Sequence, residues 1–404
     1  MDSKLADSME IYAARQAQVN QIVDAHAAWT VDVRRYLHQY PELSHQESKT
    51  VQYIREQLKN MGLSPYSYTG KDVIAYIEGG QSGKTVALRA DIDALPIQEE
   101  TGLPFASKNP GVMHACGHDG HTAILLGAAR ALTEGAVPFA GRIKLIFQHA
   151  EEVVPGGASE LVKAGVLEDV DAIFGLHLWQ NVDSGLLEVC AGPIMAGSDS
   201  FAIKIHGKGG HGSMPHLTVD PIVIASHLVT QLQTIVSRSL DPLYPAVISV
   251  GQIQAGDTYN IIPDTAQLQG TVRYFHPDVQ KEIPQLLERL AHGVCASFGA
   301  SATVEYVKGD PSVINDPRMN AIVEQVGRMV LGEENVRPAV PSMAGEDFSY
   351  YLQHVPGAYF FLGIRNEEAV YSHHHPRFTI DEKMLPVGSK LLAGIALTYL
   401  EQQV

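Results

Sequence analysis

Cysteine is nearly missing from this chain of 404 residues: three occur, Cys116, Cys190 and Cys295. So sparse and odd a set provides no disulfide framework and fits a reducing compartment, so a cytosolic protein is expected. No stretch approaches the roughly 20 apolar residues of a membrane span, and the N-terminus lacks the apolar core of a signal peptide. Positive charge is also short, with 29 Lys and Arg against 45 Asp and Glu, a formal net charge of −16. That field repels nucleic acid and anionic membranes, which excludes them as expected partners, although a local basic pocket can still receive an anionic substrate. Repeats and low-complexity segments are absent too. What remains is ordinary globular material, 45% hydrophobic and 18% charged, long enough for two or three domains.

Apolar positions at helical spacing predict a helix from about Met9 to His38 and a second from Glu47 to Met61, closed by Gly62. Strands are expected at 73–77, 85–88, 142–147 and 172–176, with helices at 122–132 and 159–167 between them. Such alternation predicts an α/β domain with a mostly parallel sheet covered on both faces. Near Gly197 the style changes. Strands at 201–206, 246–253, 266–274 and 302–307 combine with helices at 221–237 and 277–298 in the order β-α-β-β-α-β, a ferredoxin-like α+β unit. The expected architecture is a discontinuous catalytic domain, residues 1–197 and 311–404, with a satellite domain inserted at 198–310.

The densest chemistry is His114-Ala-Cys-Gly-His-Asp-Gly-His121, with three histidines, a cysteine and an aspartate in eight residues. A thiolate and an imidazole two positions apart suit a transition metal, zinc first, held at roughly 2.0–2.3 Å. A polar loop with a buried cysteine is the plain alternative. Glu151 and Glu152 follow a buried strand, where adjacent carboxylates repel unless a cation or a proton intervenes. One division of labour has Glu152 bind metal while Glu151 takes a proton from water. His177 ends another apolar strand, and the triplet 373–375 offers a further imidazole. Cys116, His118, Glu152, His177 and one histidine of the triplet make five donors. A structural zinc needs four, so two metals sharing Cys116 are expected. Asp91 and Asp93 either anchor ligand imidazoles or serve as strand-end turn carboxylates.

Met113-His-Ala-Cys-Gly-His-Asp-Gly-His121, Ala150-Glu-Glu152, Gly175-Leu-His177 and His374-His-Pro-Arg-Phe378 together resemble the amidohydrolase branch of the aminoacylase/carboxypeptidase metallopeptidase superfamily. That branch includes hippurate hydrolases, N-acyl-amino-acid deacylases and auxin-conjugate hydrolases. The resemblance runs from about His38 almost to the C-terminus. It implies metal ligands at Cys116, His118, Glu152, His177 and His374, with His373 or His375 as substitutes for the last, and Glu151 as general base. It further implies two divalent ions per subunit, zinc first and manganese or cobalt as alternatives, and a homodimer or higher homo-oligomer formed through the satellite domain.

In the satellite domain, the motif Gly207-Lys-Gly-Gly-His-Gly-Ser-Met-Pro215 resembles the segment that brings a histidine, here His211, to the tetrahedral oxyanion; a turn histidine capping local backbone is the alternative. Asn260 and Arg273 match the family's clamp on a substrate α-carboxylate. Glu346 and Asp347, in a segment also matching the family, read as acidic residues favouring a helix dipole. The implied reaction is hydrolysis of a small N-acyl amino acid. A dipeptidase or carboxypeptidase on the same site, a thiol amidase using Cys116, and a non-catalytic metal-containing binding protein are the competing readings.

Overall fold

The computed structural model describes residues 3–135 and 137–402, with side chains from residue 14 onward. Contacts divide the chain into two units. The first holds the chain up to Ile194, Ile314–Val340 and the chain from Asp347; the second holds Met195–Val313 and Pro341–Glu346.

In the first unit a seven-stranded sheet runs in the order Val73–Glu78, Ala140–Gln148, Gln81–Asp91, Ala172–Asp183, Gly357–Arg365, Leu187–Val189, Val336–Pro338. Four neighbouring pairs are parallel. The pairings of Val73–Glu78 with Ala140–Gln148 and of Gly357–Arg365 with Leu187–Val189 are antiparallel. Residues 85–91 and 357–364 are buried at every position. Strands with no exposed face require cover on both sides, which explains their unbroken apolar character. The helix His118–Glu134 packs against Met384–Gln402 and Ala27–Gln39, burying Ala123, Ile124, Leu125, Leu126, Ala128 and Ala129.

Three expectations need correction. The N-terminal helix is two, Ser3–Ala25 and Ala27–Gln39, separated by a turn at His26. The helix expected from Thr122 starts four residues earlier, at His118. Its polar first turn hides the start from apolar periodicity, and Gly117 permits it by adopting φ +91°, a left-handed conformation with little cost only for glycine. The strand expected to end at Leu176 continues to Asp183, because it goes on pairing with Gly357–Arg365 after its apolar run stops.

The second unit is a four-stranded antiparallel sheet in the order Ser301–Val307, Gly197–His206, Thr265–Tyr274, Ala246–Ala255. Gly197–His206 buries alternate residues, so one face meets the helices Pro221–Thr234 and Pro277–Ser297. Phe201, Ile203, Ile205, Leu228, Leu268 and Ile283 lie in its separate core. Chain order β-α-β-β-α-β with this strand order is the ferredoxin-like arrangement.

Candidate metal centre

The ends of three parallel strands bring the polar clusters of the first unit together. Gln81–Asp91 leads into Asp91 and Asp93, Ala140–Gln148 into Glu151 and Glu152, and Ala172–Asp183 carries His177 within the strand. Open α/β sheets collect ligand-binding groups at such ends. Cys116 and His118 flank Gly117 at the start of a helix. His374 comes from the 370–380 loop, in a left-handed conformation at φ +64° with its N–H donated to Ala115 O at 2.8 Å.

Two donor triplets meet at Cys116. One joins Cys116, His118 and His177; the other joins Cys116, Glu152 and His374, with the donor atoms of each triplet within 4.8 Å of one another. His177 Nε2 is 3.6 Å from Cys116 Sγ, and His374 Nε2 is 3.3 Å from Glu152 Oε1. Glu151 Oε2 and Glu152 Oε1 each lie 3.9 Å from His118 Nε2. His373 instead donates from Nε2 to Leu178 O at 3.0 Å. His375 stacks on Tyr371 and accepts from Arg377 N at 3.0 Å, so the geometry brings His374 to the donors and leaves its neighbours outside.

Backbone and carboxylate partners aim the rings. His118 donates from Nδ1 to Asp93, 3.0 Å from its carbonyl and 3.2 Å from Oδ1, while its buried Nε2 has no hydrogen-bond partner among the described residues. His177 donates from Nδ1 to Leu178 O at 2.8 Å, which likewise leaves Nε2 facing the thiol. A buried imidazole nitrogen with no partner is costly in a finished site, and a metal ion supplies the missing contact. Sulfur, nitrogen and carboxylate oxygen around one cysteine fit a pair of zinc-type ions.

Electrostatics point the same way. Burial alone would lower the pKa of His118, yet Asp91, Asp93 and Glu152 outweigh it and carry the ring up to about 10. Burial, then the carboxylates of Glu152, Glu151 and Asp91, push the Cys116 thiol well above its usual range. The pocket therefore demands positive charge, which a divalent ion would supply while stabilising the thiolate. Burial, reinforced by His121 and His373, holds His177 neutral.

The other polar residues of the opening motif are otherwise employed. His121 donates from Nδ1 to Asp91 Oδ1 at 2.6 Å and accepts Leu178 N at 2.9 Å, so neither nitrogen remains for a metal. Asp119 binds the buried Arg34 and His38, each at 2.8 Å. His114 is buried outside the donor triplets, and burial pushes its pKa down to about 4.

Two supporting roles escaped the sequence reading. Arg89 is buried and donates to Gln148 Oε1 at 2.8 Å, Asp91 Oδ2 at 2.7 Å and Asp347 Oδ1 at 2.8 Å. Asp347 is thus half of a buried ion pair, not a dipole-favouring helix start. Glu47 Oε1 accepts Ala150 N at 2.8 Å, holding a residue whose φ of +51° turns the chain into Glu151.

His211, Asn260 and Arg273 belong to the second unit. His211 is exposed, and its Nδ1 accepts Ser213 N at 3.1 Å, which fixes the neutral ring's proton on Nε2 as a donor. Asn260 is its neighbour across a two-stranded ribbon, where Asn260 O accepts Gly212 N at 2.9 Å. Arg273 is half-buried and has no ion pair among the described residues; its Nη1 donates to Val272 O at 3.0 Å and to Thr271 Oγ1.

A sheet whose strand ends gather thiol, imidazole and carboxylate donors beside an additional glutamate has the equipment of a water-activating hydrolase. The chain belongs to peptidase family M20/M25/M40, whose model matches residues 87–398. It is a hydrolase of that family and acts on amide bonds. It is 48% identical over 306 residues to the N-acyl-L-amino acid amidohydrolase of Geobacillus stearothermophilus, covering 74% of this chain and 83% of the relative. With thermostable carboxypeptidase 1 of Saccharolobus solfataricus it shares 40% identity over 397 residues, 97% of this chain and 99% of the relative. A solved Bacillus subtilis structure described as a dinuclear metal-binding peptidase of the M20 family superimposes with a TM-score of 0.84 at 38% identity, covering 94% of this chain and all of that one.

Proposed function

We propose that this protein hydrolyses the amide bond of small N-acyl amino acids with two divalent metal ions held by Cys116, His118, Glu152, His177 and His374. The observation that carries this reading is the meeting of two donor triplets at one thiol. Bound ions of this kind polarise a carbonyl and acidify water. Glu151 accepts the proton of the attacking water and delivers it to the leaving amine. His211 offers its Nε2–H to the tetrahedral oxyanion, while Arg273 and Asn260 hold the α-carboxylate. Zinc is the favoured ion, with manganese or cobalt compatible with the donors.

The likeness to a carboxypeptidase favours a second reading, cleavage of peptides with a free C-terminal carboxylate at the same site. Turnover of N-acyl amino acids and dipeptides, varied independently in acyl group and side chain, separates the two. Glu151→Gln is expected to lower kcat about 10²–10⁴-fold with metal content unchanged; undiminished turnover would remove Glu151 from the mechanism. Chelation should abolish activity and zinc, manganese or cobalt restore it. Activity that survives chelation but falls with thiol alkylation would favour the Cys116 nucleophile instead.

We also read the protein as a cytosolic homodimer or higher homo-oligomer joined through the second unit. The sparse cysteines support the compartment, and among the described residues no helix is long and apolar enough to cross a membrane. Ala246–Ala255 is an edge strand, and Ile222, Val223, Val247 and Ile253 are exposed on this unit. Light scattering of wild type and Ile253→Lys tests it; a monomeric wild type overturns the reading.

A further inference from the structure

A second group of metal-type donors stands apart from the two triplets. His45, from the loop before the helix Ser48–Asn60, His149, at the end of strand Ala140–Gln148, and Glu160, in the helix Gly157–Lys163, place donor atoms within 4.8 Å of one another. His149 Nε2 is 3.0 Å from Glu160 Oε2, and the two imidazole centroids are 5.6 Å apart. His149 is fully buried, and its Nδ1 has no hydrogen-bond partner among the described residues. A carboxylate only accepts, so Nε2 now carries the ring proton toward Glu160; binding a metal there moves that proton to Nδ1, which no group among the described residues engages. The cation already there is a loose one. Lys71 Nζ lies 3.3 Å from His45 Nδ1 and 3.4 Å from Glu160 Oε2, on a side chain that is 42% exposed.

We propose that His45, His149 and Glu160 bind a further divalent ion of zinc type, in exchange for the Lys71 ammonium. Two imidazoles and a carboxylate form a donor set suited to zinc, with water completing the coordination. Lys71 marks the position as one that attracts positive charge and leaves it readily, since its exposed ammonium regains full hydration on withdrawal. The position gives the ion a task. His149 and Glu160 are the two ends of the segment that contains Glu151 and Glu152, and its middle residues Val153 and Val154 are exposed. An ion across those ends closes that segment into a short loop and restricts the backbone on which the catalytic carboxylates stand. The inference rests on the dinuclear reading only in treating this ion as additional.

Zinc titration of the full-length protein, with bound metal counted after desalting, tests it. Wild type should retain zinc that His45→Ala and Glu160→Gln do not, and Lys71→Met should bind that zinc about tenfold more tightly through loss of a competing unit charge. Cys116→Ser should keep the His45-dependent zinc while losing the other sites, so the two readings fail separately. Saturating that site should also slow proteolysis at Val153–Val154 in wild type and leave the rate unchanged in His45→Ala. Equal zinc uptake by wild type, His45→Ala and Glu160→Gln would mean an ion-pair cluster only, and would overturn the proposal.

Discussion

Replacing Arg89 by Met tests both the stability of the first unit and the aim of its imidazoles. The guanidinium is buried against Asp91 Oδ2 at 2.7 Å and Asp347 Oδ1 at 2.8 Å, two carboxylates with no exposed surface. Breaking a buried pair by removing one partner typically costs about 3–5 kcal/mol. Both carboxylates keep other donors here: His121 on Asp91, Gln148 and the Ala158 N–H on Asp347. The loss is therefore one of charge more than of hydrogen bonds, and about 3 kcal/mol is expected, a large share of an ordinary domain's stability. Removing the cation raises the Asp91 carboxyl from its lowered position, although His118 and His121 still hold it down. The folded variant then takes up protons at higher pH than folded wild type does, so its deficit against wild type shrinks as pH falls into the carboxylate range. Asp91 also orients His121, which accepts the Leu178 N–H, and Leu178 O in turn accepts from His177. Metal affinity should accordingly drop about 10–100-fold. Urea unfolding at several pH values and competition with a chromogenic chelator give the two readouts. Arg89→Met/Asp347→Asn should recover part of the stability. A single variant within about 1 kcal/mol of wild type and unchanged in metal affinity would refute the chain of contacts.

Burial, with Asp93's charge added, carries the Glu47 carboxyl from 4.5 up to about 7. The folded protein thus holds a proton that the unfolded chain releases, a cost that is absent below about pH 4.5, grows through pH 7 and is complete above it. Glu47→Gln, which keeps an acceptor for Ala150 N, should be up to about 3 kcal/mol more stable than wild type at pH 8 and equal to it near pH 4.5; a pH-independent difference would count against burial of the charge. A Cβ on Gly157 would stand 1.9 Å from His149 O, so Gly157→Ala must displace the strand end that leads to Glu151, at about 3 kcal/mol and with loss of turnover. Thermal unfolding and kcat unaltered by that change would show the loop to be yielding. For substrates with a free α-carboxylate, Arg273→Met should raise KM at least tenfold, and their carboxamide analogues should lose the preference for wild type. Equal effects on both would place Arg273 outside the clamp.

What could be read from the chain alone follows a physical divide between what a donor is and where it points. Cys116, His118, Glu152 and His177 are recognisable because soft and borderline donors are rare company in one short run and beside buried strands. Their common focus was legible as a count of five donors, and the choice of His374 within its triplet needed a family resemblance. Their aim was not legible at all. His118 and His177 each expose Nε2 because Nδ1 donates to a main-chain carbonyl, Asp93 O or Leu178 O, and a carbonyl oxygen belongs to every residue alike. The same limit hid the first turn at His118, where the metal-type side chains interrupt the apolar rhythm that announces a helix. Arg89 stands two positions before Asp91, yet its meaning depends on Asp347, 258 positions away, and without that contact Asp347 reads as an acidic helix start. Patterning did reveal both sheets, because period and burial are local properties of a segment. A buried ion pair is a property of two segments at once, so it becomes visible only when folding has brought them together. The residues that supply the chemistry are thus nearer the surface of the sequence than those that hold it still.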